Sequence, residues 1–340
     1  MPNKKNISYA NFLKRIEDTC AGYGMLQNAG RMLVCVSGGA DSVCLLKTFQ
    51  ALRKNLNIEI IVANMDHCLR AEESEKESEF VKDLCGKEGL VCVHKKVKVF
   101  DESGGGKISV EEKARKERYK FFCSAAREYG CDVIATGHNM DDQAESVIMK
   151  FVYGGSISGL AGIPPVREEK GRRIIRPLIR VTRAQIIHFL TTIKQKFMED
   201  SSNKDVKYRR NKVRVELLPF LEKYNPAIRR NLVNISDTLR EDIELMEQIR
   251  ENAKFGTAGC RRVDIKDMVL QPRSLRRDIF REMVINAGGN VKKLTYRHWM
   301  DMDILLRSAE KGKTLDLPGK IKAVRTAKSI IFEKNVKKVN

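Results

Sequence analysis

Two clusters of residues in this chain have types and spacings that could do chemistry. The first is Ser37-Gly38-Gly39-Ala40-Asp41-Ser42. Glycines and serines at this density offer backbone N–H groups and hydroxyls to one small volume, which suits an anion such as phosphate. Asp41 lies inside the same turn. A carboxylate beside bound phosphates makes sense with a cation between them, so Asp41 is a candidate Mg²⁺ ligand. The spacing is not G-x-x-x-x-G-K-[ST], and no lysine follows the glycines. The second cluster is Gly137-His-Asn-Met-Asp-Asp-Gln-Ala-Glu145. On a helix advancing about 100° per residue, His138, Asp142 and Glu145 fall close together with Asp141 near them. Carboxylates so grouped can hold a cation, bind an ammonium group or take a proton. One acid in a first helical turn reads as a dipole-compensating cap. Three acids and a histidine go beyond that.

These clusters need elements to position them. Leu33 to Val36 reads as a short buried strand, broken by Ser37-Gly38-Gly39 and followed by a helix with Val43, Leu46 and Phe49 at helical spacing. The positive end of that helix would face the turn. Ile58 to Asn64 reads as a second strand, with Met65-Asp66-His67-Cys-Leu-Arg70 at its end. A helix over 72–86 and a strand over 90–96 follow, and a further strand over 131–136 leads into the second cluster. Binding groups collect at such strand ends in open parallel sheets. The pattern predicts an α/β fold with a parallel, Rossmann-like sheet. Before it, residues 7 to 28 read as a packing helix. Arg115 and Arg118, three apart, share a helix face, and Thr182 can cap a later helix. Arg209, Arg210, Lys212 and Arg214 bring several cations together.

From about Pro226 the pattern changes to long amphipathic helices, with a short β segment expected after Leu317-Pro-Gly319. Two domains are expected, 1–220 and a mainly helical 221–340. Arg273, Arg277 and Arg281 are four apart and share a face, and Lys292, Lys293 and Arg297 follow. A helix face carrying one sign of charge is a candidate nucleic-acid surface.

Composition narrows the class. The formal charge is +20, which favours a polyanionic partner. No apolar run approaches the roughly 20 residues of a membrane span, and no secretory signal is visible. The 9 cysteines are odd in number, scattered, and include no C-x-x-C pair. That indicates neither a disulfide framework nor a zinc site and favours a reducing, cytoplasmic setting.

Taken in order, S-G-G-A-D-S at 37–42, D-H-C-L-R at 66–70, E-E-K-A-R-K-E-R-Y at 111–119 and H-N-M-D-D-Q-A-E at 138–145 form a specific series. G-L-A-G-I at 159–163, R-P-L-I at 176–179 and D-S-S-N…R-N-K-V-R at 200–214 continue it. The series resembles the tRNA(Ile)-lysidine synthetases of the PP-loop ATP pyrophosphatase superfamily, strongly over residues 30 to 220 and more weakly beyond. The resemblance implies ATP and Mg²⁺, free L-lysine and an isoleucine tRNA with a CAU anticodon. The wobble cytidine would be adenylated at the expense of ATP, and lysine would then displace AMP at C2.

The resemblance also implies roles. Ser37 to Ser42, with His67 and Arg115, would bind ATP. Asp41, His138, Asp142 and Glu145 would be catalytic, with Asp41 and Asp141 toward the metal. Asp142, Glu145, Arg118, Arg210 and Arg214 would face substrate. Arg273, Arg277, Arg281, Lys292, Lys293 and Arg297 would meet tRNA. Three residues depart from the family pattern: Cys68 for glycine, and Tyr153 and Ser156 for arginine and glycine in R-G-x-G. A shorter C-terminal architecture than in long members is expected. A PP-loop tRNA thiolase and a non-catalytic nucleotide sensor are the alternatives. The first would need cysteine chemistry, usually C-x-x-C; the second leaves the carboxylates unexplained. Oligomeric state is left open, with a homodimer as one option.

Overall fold

The computed structural model describes residues 7–66, 71–97, 110–198, 209–252 and 259–334. His67 and Cys68, the glycine-rich stretch 101–107 and the D-S-S-N segment lie outside them. The chain forms two compact units, Met1–Arg240 and Glu241–Asn340.

The first unit opens with α1 (Tyr9–Gly22), capped by Ser8. Then β1 (Arg31–Cys35), α2 (Ala40–Leu56), β2 (Glu59–Asp66), α3 (Ala71–Lys87) and β3 (Val91–Lys96) alternate. They are followed by α4 (Val110–Glu128), β4 (Val133–Ala135), α5 (Met140–Val152) and the short α6 (Ile157–Leu160). A hairpin, β5 (Val166–Glu169) and β6 (Arg172–Ile175), leads through a 3₁₀ turn at Pro177–Arg180 into α7 (Arg183–Thr192). Last come α8 (Arg209–Lys212), a π turn over Val213–Leu217, α9 (Leu218–Tyr224) and the start of the long α10 (Ile228–Asn252), which runs on past Arg240.

The strand order is β3-β2-β1-β4-β6-β5, parallel throughout except for β5 against β6. Alternate residues of β1 point to opposite faces, as a strand requires. Met32, Val34 and Val36 join Phe12, Leu45, Phe49 and Phe189 on one side, while Leu33 and Cys35 join Tyr119, Phe122 and Ile174 on the other. Burial on both faces explains why the strands read as continuous apolar runs. The chain leaves β1 for β2 on one side and returns to β4 on the other. That reversal opens a crevice beyond the C-terminal ends of β1 and β4, where ligands bind in open α/β sheets.

Local signals set the helix starts. Thr182 caps α7 in a reciprocal box with Gln185, and Asn139 caps α5 in a box with Asp142. The G-L-A-G-I motif wraps the buried side chain of Gln143. Gln143 accepts from Ile163 N–H at 2.6 Å and donates to the Ala161 carbonyl at 3.4 Å. Gly162 has φ +66°, and a Cβ there would lie 2.6 Å from Gln143 Oε1. That position therefore favours glycine twice over.

The second unit contains β7 (Arg262–Asp264), α11 (Ile265–Val269), α12 (Arg273–Asn286), α13 (Tyr296–Arg307), β8 (Thr314–Leu317), β9 (Ile321–Arg325) and β10 (Ser329–Lys334). The strands form an antiparallel sheet in the order β7-β10-β9-β8. Ile279, Phe280, Met283, Leu305, Ile321 and Phe332 are buried together in one core. The region is thus a helix-and-sheet unit rather than a mainly helical one. Its strands are short, and β7 pairs with β10 across a long sequence separation, so local periodicity understates them. No described helix is long and apolar enough to cross a membrane.

Candidate active site

The Ser37–Ser42 turn joins β1 to α2 in the crevice. Gly38 takes φ +94°, which an L side chain rarely adopts. Ser42 Oγ donates to the Gly39 carbonyl at 2.9 Å and accepts from Ser37 N–H at 3.1 Å, fixing the turn. Met198 N–H donates to the Gly38 carbonyl at 2.9 Å, bracing it from outside. The N-cap of α2 is Gly39, and no side chain caps the helix. An uncapped helix N-terminus in a crevice presents both free donors and positive potential to an anion.

Asn139, which sequence reasoning did not single out, joins the two clusters. Its Nδ2 donates to Asp41 Oδ1 at 3.0 Å. Its Oδ1 accepts from the N–H groups of Asp141 at 2.9 Å and Asp142 at 3.1 Å. One cap residue therefore holds the start of α5 against the phosphate-type turn.

The carboxylates carry more positive partners than their spacing suggested. Asp41 Oδ2 lies 2.5 Å from a guanidinium nitrogen of Arg183. Burial pushes the Asp41 carboxyl up, against the pull of Arg183. Asp141 accepts from Arg183 backbone N–H at 2.8 Å and from Arg229 at 2.7 Å, and burial raises its pKa also. Glu145 is wholly buried. It accepts from Arg210 Nε at 2.8 Å, from Arg214 Nε at 2.5 Å and from Arg214 Nη2 at 3.1 Å. Asp142 accepts from Arg210 Nη2 at 2.7 Å. Asp142 and Glu145 thus face two guanidinium groups, a locally neutral set. An isolated buried carboxylate would be costly; a paired one is not.

His138 Nδ1 lies 3.0 Å from Thr136 Oγ1. Burial, reinforced by the arginines 176, 115, 210 and 118, holds its pKa well below the ordinary value, so the imidazole is neutral at pH 7. Arg115 stacks on the Tyr119 ring with its guanidinium carbon 5.0 Å from the centroid, and Arg167 also stacks on it, at 4.8 Å. Arg118 is exposed on the same helix. Arg176 is buried and donates to the Pro164 carbonyl. The Tyr153 departure has a structural consequence: Arg209 lies over its ring, 4.8 Å from the centroid.

The proposed metal side can be tested against these contacts. Among the described residues, no group of three or more His, Cys, Asp and Glu side chains is placed to hold a metal ion. Magnesium usually takes only one or two carboxylates and finishes its shell with phosphates and water. Asp41 suits that mode, since a carboxylate has about four lone-pair sites and two hydrogen bonds leave room. Asp141 has one oxygen on the start of α7 and the other on Arg229, so it is committed to holding these elements.

In the second unit, Arg273, Arg277 and Arg281 lie on α12. Arg273 pairs with Asp303 at 3.1 Å, alongside the buried Arg276 at 3.0 Å. Arg277 and Arg281 are partly exposed, Lys293 is exposed, and Arg297 is highly exposed, 4.0 Å from Asp301. Lys292 lies in the short turn before α13, at Val291–Lys293.

Relatives match this chain over most of its length. Residues 4–221 match the PP-loop domain family. A tRNA(Ile)-lysidine synthase from Geobacter sulfurreducens is 30% identical over 332 residues, covering 95% of this chain and 69% of that protein.

The chain belongs to the tRNA(Ile)-lysidine synthase family.

A tRNA(Ile)-lysidine synthase from Clostridioides difficile is 30% identical over 324 residues, covering 94% of this chain and 70% of that one. Among solved structures, the U34-tRNA thiolase NcsA from Methanococcus maripaludis superposes with a TM-score of 0.56 at 18% identity, covering 69% of this chain and 81% of its own. That likeness shows a shared fold. Membership in the lysidine synthase family makes the chain an ATP-dependent ligase. It decides for the ligase over the thiolase and the sensor.

Proposed function

We propose that this enzyme adenylates the wobble cytidine of a CAU-anticodon isoleucine tRNA and then joins free L-lysine to C2, with the two clusters of the crevice dividing the work. The observation that carries this reading is Asn139, which ties Asp41 of the phosphate-type turn to the capping box of Asp142. An ATP α-phosphate at the turn and an amine at the acids would then meet within one crevice.

The turn 37–42 and the uncapped start of α2 bind the phosphates. Asp41 is the residue to hold Mg²⁺, which supplies charge neutralisation for the pyrophosphate leaving group. Arg115 serves the nucleotide and Arg118 the cytidine; the nucleotide role of His67, outside the described residues, rests on the family motif alone. Neutral His138 can accept or donate one hydrogen bond beside the base without adding charge.

Lysine presents a specific difficulty. With a side-chain pKa near 10.4, fewer than about one molecule in a thousand is neutral at pH 7, and attack needs the neutral amine. Asp142 and Glu145 bind the ammonium by exchange: a guanidinium of Arg210 or Arg214 gives way to it, so the local charge stays balanced. One of the two acids can then take the proton.

The direct test is labelled lysine supplied with ATP and an unmodified isoleucine tRNA transcript. Label should appear in the tRNA at the wobble base. Sulfur incorporation instead, or ATP binding without any transfer to tRNA, would reject the reading.

The basic residues 273, 277, 281, 292, 293 and 297 bind the tRNA body. Replacing Arg277 and Arg281 together by alanine should weaken tRNA binding and flatten its dependence on salt by roughly two units of log–log slope, about one per phosphate contact. Arg273 is a poorer choice because Asp303 already holds it. An unchanged slope in a salt titration would make those arginines a solvated helix face.

A further inference from the structure

The turn 37–42 contains no lysine or arginine of its own, and the one charged residue within it is the acid Asp41. In the described structure a guanidinium nitrogen of Arg183 lies 2.5 Å from Asp41 Oδ2. We propose that Arg183 is a ligand for the β- and γ-phosphates of ATP, held at the turn by Asp41 until nucleotide arrives. The inference rests on the reading that this turn binds ATP.

Three features fit a movable phosphate ligand rather than a fixed strut. The backbone of Arg183 is anchored: it is the first residue of α7, after the Thr182 cap, and its N–H donates to Asp141. The side chain is not anchored in the same way, being 40% exposed with Asp41 as its ion-pair partner. Contrast Arg229, whose side chain is 16% exposed and whose guanidinium is shared between Asp141 and Glu222. Chemistry supplies the third feature. Phosphate oxygens attract a guanidinium with paired, charge-assisted hydrogen bonds, and Asp41 lies in the first turn of the uncapped α2, where the phosphates would sit. When they enter, Arg183 has to shift only from one anion to the adjacent one. That shift frees an oxygen of Asp41 for a cation. The same guanidinium then remains on the pyrophosphate side of the bond that breaks.

The arrangement separates the phosphates of ATP by position. Arg183 would touch the part of ATP that leaves and not the part that stays as AMP. Equilibrium binding of ATP, inorganic pyrophosphate and AMP to the full chain and to Arg183→Ala and Arg183→Lys tests this, with and without Mg²⁺. Wild-type binding of ATP checks the underlying reading; the variants then decide the role of Arg183. Arg183→Ala should weaken ATP and pyrophosphate by about ten- to a hundredfold, the range of a hydrogen bond to a charged group, and leave AMP within about twofold. Arg183→Lys should recover part of the loss, since it restores charge without the fork. Equal weakening of ATP and AMP would mean that Arg183 only braces the turn, and unchanged ATP binding would remove it from the site. Either result overturns the proposal.

Discussion

Asp41→Asn is expected to lower ATP–pyrophosphate exchange by about a hundredfold or more while leaving the fold intact. Asparagine is nearly isosteric with aspartate and keeps an oxygen that can accept from Asn139, so the turn retains its link to α5. What is lost is the charge that a bridging cation needs. The stability side of the expectation has a definite sign. Burial raises the Asp41 pKa in the folded protein, so folding disfavours the charged carboxylate at pH 7. Removing the charge should therefore leave the thermal midpoint at pH 7 unchanged or slightly higher. Exchange kinetics over a Mg²⁺ series, together with a melting curve, check both halves. Near-normal exchange at saturating Mg²⁺ would reject the role of Asp41. A large fall in the midpoint would make the lost activity a folding effect.

Glu145→Gln should act on the other substrate. Three hydrogen bonds from Arg210 and Arg214 converge on the Glu145 carboxylate. Glutamine keeps one acceptor oxygen and turns an NH₂ group toward a guanidinium, a donor facing a donor. The cost should be about 1–3 kcal/mol of stability. The larger effect is on charge. Two acids and two arginines balance; with a neutral amide in place of the Glu145 carboxylate the set is left with one excess positive charge. Two like charges about 4 Å apart repel by roughly 4 kcal/mol at an effective dielectric of 20, enough to oppose entry of an ammonium. Lysine transfer should fall by at least about tenfold, a loss of roughly 1.4 kcal/mol, seen mainly as a raised KM for lysine. ATP–pyrophosphate exchange should stay within about threefold, under roughly 0.7 kcal/mol. Equal loss of both activities would assign Glu145 to the support of α5 and the arginines instead of to lysine.

Much of the catalytic unit is legible in the residue order because its signals are local. A β-branched run, a glycine turn and a helix-spaced apolar stripe identify β1, the turn and α2 without reference to the rest of the chain. The same holds for the α5 acids, whose spacing puts them on one face whatever packs against it. The R-P-L-I motif is where β6 stops: the strand ends at Ile175 and a 3₁₀ turn takes over at Pro177. Proline lacks the N–H that continuing the strand would use. In the second unit the helices are legible. The β7–β10 pairing is not, because Ser329 meets Asp264 with α11 to α13, β8 and β9 between them in the chain.

The residue order by itself determined which groups could do chemistry: an anion-binding turn with an acid in it, three acids and a histidine at a strand end, and a basic chain to meet a polyanion. Only the tertiary structure decided what those groups face. Arg210 and Arg214 reach Glu145 from 65 and 69 residues away, turning an acidic cluster into a neutral one. Arg183, in a helix whose sequence signal is only the Thr182 cap, supplies the charge that the turn lacks. Spacing along a helix fixes neighbours three and four residues apart. Ion pairs that balance buried charge are chosen by the fold's crossings, which bring the C-terminal end of one strand to the start of a distant helix, and no local periodicity records that choice.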